Sequence, residues 1–327
     1  MEEVAGIGIA RLIAPASRRV ASLAAPEAFR CTLVSLSPRC LAPRVAGHAV
    51  WTGKRTRNLG RVPTVSRISI SPVKGLALVH PDEVLLEQTG VRENRRFHIV
   101  DADGRRFNQL RNGQLVQIQQ RYHGDHLTLQ FPDGTTAAGQ IALGAPITTD
   151  FYNRPVEGNL VAGPWSEALS RWAGRALRLV QSPAGAAVDR SRGHVSLISA
   201  ASLEELGRQG GQNGPVDGRR FRMLFELEGC KAHEEDDWVK RHLRIGEAVV
   251  RLRGDVGRCA ITTQNPETGV PDFDTLRTIR GYRQITANEA GTKHLPFGVY
   301  GEVTEPGKVA VGDRVEVVEL SLLEETA

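Results

Sequence analysis

Asp255-Val-Gly-Arg-Cys-Ala-Ile-Thr-Thr-Gln-Asn-Pro-Glu-Thr-Gly269 is the stretch from which the rest of this 327-residue chain is best read. Cys259 stands behind a glycine and an arginine and ahead of a β-branched run that ends in a Pro-Glu-Thr-Gly turn. Upstream, residues 247–253 place apolar side chains near period two, the pattern of a strand. The spacing therefore predicts a cysteine in a loop after that strand, at the start of a second strand over 260–263. A loop held by rigid neighbours suits a site residue. Arg258 beside the cysteine favours thiolate over thiol, and a thiolate is a nucleophile and a soft-metal ligand. Free cysteine is also a common small, buried hydrophobe. The residues alone leave both roles open.

Composition narrows the classes. Residues 1–62 carry ten Lys or Arg against Glu2, Glu3 and Glu27, a balance of +7, so the remainder of a chain of net charge +5 sums to −2. A nearly neutral body has no basic field of the kind nucleic acid needs. No apolar run approaches the roughly 18 residues of a membrane span. Cys31, Cys40, Cys230 and Cys259 form no C-x-x-C pair and are too scattered for a secreted disulfide framework, which points to a reducing, cytoplasmic setting. Residues 1–62, rich in Ala and Arg and without periodicity, read as a disordered or mis-started basic extension.

From Val65 onward the texture is strand and turn. Runs at 65–70, 84–87, 95–100, 115–118 and 127–131 read as strands, with Asp101-Ala-Asp-Gly104 and Pro132-Asp-Gly134 as turns. Strand pairs at this spacing suggest a closed, barrel-like β domain. Residues 163–174 are helical in pattern, with Trp165, Leu169 and Trp172 on one face as core and Gly174 as the stop. The small, polar stretch 182–193 reads as a link to a second lobe, its Asp189–Gly193 part a surface loop or a rim of the site. Ser199 caps a helix beginning at 200, with a Glu in reach of the cap; it is either a cap alone or part of an anion site at the helix N-terminus. Arg222 is read on a strand, at even spacing from Glu226 and Glu228, with either of which it can pair. His233–Trp238 is a solvated acidic turn with Trp238 packed inward, since no second His follows at zincin spacing. The fold expected is mainly β (α+β), in segments 1–62, 63–181 and 182–327.

The motif Gly-Arg-Cys-x-[IV]-Thr-Thr-x-x-Pro-x-Thr-Gly resembles the cysteine motif of MOSC proteins, the family of the molybdenum cofactor sulfurase C-terminal domain. The nearest branch is that of the amidoxime-reducing components, and the likeness runs from about Val65 to Val318. It implies a MOSC β-barrel domain preceded by an N-terminal β-barrel domain, with a few helices. It also implies that Cys259 ligates the molybdenum of a molybdenum cofactor (molybdopterin), whose pterin dithiolene supplies other sulfur ligands. Pro72-Val-Lys-Gly75 resembles the opening segment of the N-terminal barrel, which assigns Lys74, with Gly75, to the cofactor. Arg96 lies at the family's Arg-Arg-Phe position, and Ser199 in its Ser-x-x-Ser-Leu segment. Arg222 ends its Arg-Phe-Arg piece, Gly257 and Arg258 flank the cysteine, and Tyr300 reaches the site by its hydroxyl. All are implied cofactor contacts. Lys231 stands where that branch often carries an acid, a difference that bears on substrate choice. Cys230 is a structural strand-end position. The family also carries a pyridoxal phosphate association, to which no residue here is assigned.

The resemblance implies a molybdenum-dependent oxidoreductase that reduces small N-hydroxylated compounds by oxygen-atom abstraction. The chain has neither the C-x4-C-x2-C spacing of a plant-type ferredoxin nor a G-x-G-x-x-G fingerprint after a strand, so a separate electron donor, a ferredoxin or flavin reductase, is expected. Two other readings keep the same residues: a sulfur carrier with a persulfide on Cys259, and a non-catalytic cofactor carrier.

Overall fold

Two ten-residue strands, Ala248–Gly257 and Pro296–Glu305, run antiparallel with Val250 opposite Val303 and Leu252 opposite Gly301. They form the centre of a seven-stranded sheet in a computed structural model that describes residues 62–183, 193–287 and 291–319. The strand order is Thr64–Ile68, Phe225–Glu228, Val195–Ser199, Pro296–Glu305, Ala248–Gly257, His242–Ile245, Val315–Val318. Only the contact of Val195–Ser199 with Phe225–Glu228 is parallel among these pairs. The sheet curls into a half-barrel over Ile68, Leu197, Phe225, Leu243, Leu252 and Val299, all essentially inaccessible. Each such side chain contributes roughly 1.5–3 kcal/mol by leaving water. The mainly β architecture anticipated from the strand-and-turn rhythm is the one observed.

A second core belongs to residues 73–179. A five-stranded sheet (Arg106–Phe107, Phe97–Asp101, Leu177–Gln181, Pro155–Ala162, Ala142–Asp150) and a three-stranded one (Gln119–His123, His126–Gln130, Thr136–Gln140) enclose Phe97, Leu115, Leu127 and Leu179. Helix α1, Trp165–Ala173, closes it. Trp165 is fully buried with its indole N–H donating to Leu127 O at 3.1 Å, and Gly174 ends the helix at φ 64°. The two cores do not divide at 181/182: Val65, Ile68, Ile70, Val84, Leu86 and Val91 belong to the first core with residues 195–315. Thr64–Ile68 pairs with Phe225–Glu228, and Glu83–Leu86 with Gly307–Ala310, so the early strands are stitched into the late half.

Three local expectations are corrected. Residues 115–118 form no strand; Gly113–Gln117 is a 3-10 turn whose cap, Asn112, accepts from Gln114 N, a local bond that competes with a ladder. Residues 260–263 are likewise a 3-10 turn, Ala260–Thr263. Its threonines spend their hydroxyls on carbonyls three residues back, Thr262 on Cys259 O (2.9 Å) and Thr263 on Ala260 O (2.8 Å), which holds a turn rather than a strand. Ser199 does cap helix α2, Ala200–Gln209, but the carboxylate at the cap comes from outside the helix: Glu235 accepts from Ser199 N (3.3 Å) and Ser202 Oγ (2.8 Å). The basic extension through residue 61 and residues 184–192 of the link lie outside the described residues. Among the described residues no helix is long and apolar enough to cross a membrane.

His98, on Phe97–Asp101, shows how the second core is set by burial. It is 2% exposed, with Nε2 3.0 Å from Thr149 Oγ1, Nδ1 3.3 Å from Ser182 Oγ, and its ring edge-on to Phe151. Burial, then the charges of Lys74 and Arg106, pushes its pKa down to about 4. Between that value and the ordinary 6.5 the unfolded chain binds a proton that the folded chain does not. Stability is therefore full above the window and falls as pH drops through it, by on the order of 3 kcal/mol for this group. His233, pushed to about 4 mainly by burial, adds to the same limb. His98→Gln is expected to flatten part of the fall in urea midpoint between pH 7 and pH 4.5. Parallel curves for wild type and variant would show that His98 is not held neutral.

Candidate functional site

The strand Ala248–Gly257 delivers the cysteine. Its register against Pro296–Glu305 shifts three times, between Val249 and Val250, between Leu252 and Gly254, and between Asp255 and Gly257, and such irregularities bend a strand. Gly257 passes so close to His294 that a Cβ there would lie 2.8 Å from the ring. That ring is tied to Asp255 and sits 3.1 Å from Thr286 Oγ1. Arg258 then turns inward: Nε donates to Phe297 O (2.8 Å), Nη1 to Phe221 O (3.2 Å), and Nη2 contacts Met223 Sδ (3.0 Å). Its guanidinium also lies 5.0 Å from the Phe221 ring, itself stacked on Phe297.

Cys259, the next residue, is exposed. The turn after it is fixed from two sides. Thr275, opening helix α3 (Thr275–Tyr282), donates its hydroxyl to Thr262 O at 2.7 Å. Gln264 Nε2 donates to Gln109 O at 2.9 Å, and Gly269, at φ 74°, crosses Gly113 so closely that a Cβ would lie 2.1 Å from its carbonyl. The cysteine segment is thus docked on residues 108–113 of the other core.

Cys259 opens on a cleft of about 410 Å³. Lys74, Arg92, Arg95, Arg96, Arg220, Arg222 and Arg258 line it, and the described lining residues include no Asp or Glu. The guanidinium groups are held largely by neutral oxygens. Arg222 Nη2 donates to Ser71 Oγ (2.8 Å) and Leu76 O (2.7 Å), Arg95 Nη2 to Arg222 O (3.1 Å), and Arg96 Nη1 to Ser182 O. A carbonyl acceptor orients a guanidinium without cancelling its charge. Arg220 also pairs with Asp272 at 2.6 Å, and Arg92 with Glu87 at 2.8 Å. Arg95 and Arg222 both adopt positive φ, 56° and 52°, at a cost of about 1 kcal/mol each.

Of the residues singled out from sequence, Lys74, Arg96, Arg222, Gly257, Arg258 and Cys259 line this cleft; Gly75, Ser199 and Tyr300 do not. Gly75 makes a turn at φ 96° beneath Lys74. Ser199 is fully buried, its hydroxyl taken by the helix cap and Ser202. The ring of Tyr300 lies behind the wall, against Gly193 and Gly254. Arg222 is not on the strand Phe225–Glu228 but follows the 3-10 turn Gly218–Phe221, and Glu226 pairs with Arg67 instead. Arg92, Arg95 and Arg220 were missed; their only signal is the density of arginine in 92–96 and 219–222. Cys230 lies away from the cleft, its thiol pushed up to about 12 chiefly by burial. Trp238 packs inward as expected, and Glu235 beside it is fully buried.

The donor set can be tested against a metal cofactor. Among the described residues no three His, Cys, Asp or Glu side chains are grouped to hold a metal. A metal at Cys259 must therefore bring most of its ligands with it. One soft thiolate donor beside several forked cations fits a metal carried on a sulfur-donating, phosphate-bearing organic cofactor.

A family model described as "MOSC N-terminal beta barrel domain" matches residues 62–178, and one described as "MOSC domain" matches residues 186–316. Among curated proteins, the chain is 27% identical to mitochondrial amidoxime-reducing component 1 of Homo sapiens, over 83% of this chain and 88% of that one. It is 28% identical to the Xenopus laevis protein of the same name (81% and 86%) and 26% identical to mitochondrial amidoxime reducing component 2 of Rattus norvegicus (91% and 97%). With both domains matched in order across most of its described length, the chain belongs to the MOSC-domain family.

Proposed function

We propose that this protein is a molybdenum-cofactor oxidoreductase that reduces small N-hydroxylated compounds, with Cys259 as the protein ligand of the metal. The observation that carries the reading is the exposed Cys259 thiol on a cleft with seven cationic side chains and no described acid. Its relatives' name, amidoxime-reducing component, supplies the substrate class. When bound, the cofactor supplies the two-electron chemistry that breaks the N–O bond, the oxygen leaving as water with two protons.

The chain's own residues bind, orient and enclose. Lys74, Arg95, Arg96 and Arg222 hold anionic phosphate, the arginines by paired N–H groups preset on carbonyl oxygens. Arg258 acts on the cysteine rather than on the cofactor: its bonds to Phe297 O and Phe221 O fix the backbone from which Cys259 projects. Electrons come from a separate donor protein, a ferredoxin or a flavin reductase.

Two variants test this. Metal and pterin content is measured on protein made in cells that synthesise the cofactor. Wild type is expected near equimolar in both, and Cys259→Ala to lose molybdenum. A metal-free wild type carrying labile sulfur on Cys259 would replace the reading with sulfur transfer. Arg258→Lys keeps the charge but loses the fork, and is expected to lower stability by roughly 1–3 kcal/mol and to lower molybdenum retention. Full loading in Arg258→Lys would mean that its charge alone matters.

A further inference from the structure

The hairpin of Ala142–Asp150 and Pro155–Ala162 turns through Phe151-Tyr152-Asn153-Arg154, closed by Phe151 N donating to Arg154 O at 2.8 Å. Tyr152 and Asn153 both have positive φ, 58° and 62°. This is the mirror-image turn that suits strand twist and that Asn-Gly usually supplies. Asparagine tolerates that region; a bulky aromatic there is an outlier. Such strain persists where something other than local preference selects the residue.

Core packing does not select it. Tyr152 is 66% exposed, while its neighbour Phe151 is the buried member of the turn. Yet Tyr152 lines the cleft that Cys259 opens on. The guanidinium carbon of Arg106 lies 4.2 Å from the Tyr152 ring centroid and 5.0 Å from that of Phe151. Arg106 is not among the cleft-lining residues. It therefore backs the ring from outside the cleft, as a cation over a π face. Arg106 thus covers the Tyr152 ring on one side, and the side chain is otherwise largely exposed at the cleft.

We propose that Tyr152 is a stacking platform for a flat, conjugated ring bound in the Cys259 cleft. Offset stacking on a fixed aromatic face adds to what area burial provides; of the other rings among the described lining residues, Phe221 is buried and already stacked on Phe297, and His194 is smaller. Such a ring has two sources, the pterin of a cofactor and an aryl group of a substrate. The second rests on the function proposed above.

Tyr152→Phe, Tyr152→Leu and Tyr152→Gly separate these in the full-length protein. Three quantities are read: pterin content as purified, thermal midpoint, and the ratio of dissociation constants for N-hydroxybenzamidine and N-hydroxyacetamidine, titrated without any electron donor so that no turnover occurs. Phe keeps wild-type behaviour. In cofactor-free protein Gly raises the thermal midpoint by releasing the positive φ and nonetheless binds the flat ligand more weakly, a pairing that a structural residue does not give. If the ring is the substrate's, pterin content holds and the preference for the benzene-bearing ligand falls roughly five-fold in Gly and Leu. If it is the cofactor's, pterin content falls in both and the preference holds. Wild-type pterin content together with wild-type preference in Tyr152→Gly overturns the proposal. The two ligand titrations, and one with free pterin, need no molybdenum, so a protein that proves metal-free defeats the proposed function and still tests the platform.

Discussion

Arg258 turns in so that Cys259 can turn out. Its guanidinium collects Phe297 O from the strand Pro296–Glu305 and Phe221 O from the 3-10 turn Gly218–Phe221, with the Phe221–Phe297 stack beneath. One side chain thereby locks three segments that are distant in sequence, and the thiol's position follows from that lock. A lysine, with a point charge and no fork, cannot satisfy two carbonyls and an aromatic face at once. The bulged end of Ala248–Gly257, the threonine-held turn and the Gly113–Gly269 crossing then leave Cys259 little freedom.

Crowding cations around one cleft is unfavourable until an anion arrives. Backbone carbonyls orient several of the guanidinium groups: Arg222 O that of Arg95, Ser182 O that of Arg96 and Leu76 O that of Arg222. The same field reaches the neighbouring core, where Lys74 and Arg106 join burial in keeping His98 neutral. An anionic ligand that bound only the folded state would stabilise it by mass action, so the proposed function couples loading to folding.

Much of this was legible in the chain. Strand rhythm, the helix at 165–173 and its Gly174 stop follow from pattern and turn chemistry. Cys259, Lys74, Arg96 and Arg222 follow from a family resemblance that residue chemistry alone left open. What was not legible has physical causes. Ile261-Thr262-Thr263 and Leu115-Val116 look like strands because β-branched and apolar residues favour them, but side-chain bonds to nearby backbone hold turns instead. Arg95 and Arg222 take positive φ, which no propensity assigns to arginine, and Arg222 leaves the strand where a pairing with Glu226 had been open. Ser199 carries a true cap signal, but only the fold shows that Glu235 arrives to bury it. Tyr152 gave no signal, since its meaning lies in strain and exposure that exist only once the hairpin is formed.

The most direct test of the central claim is X-ray absorption at the molybdenum edge on cofactor-loaded protein, comparing wild type with Cys259→Ser. The account predicts one sulfur neighbour fewer in the variant, with the dithiolene sulfurs kept wherever metal remains. An unchanged sulfur shell would mean that the metal does not bind Cys259, and the cleft would then hold its cofactor by charge alone.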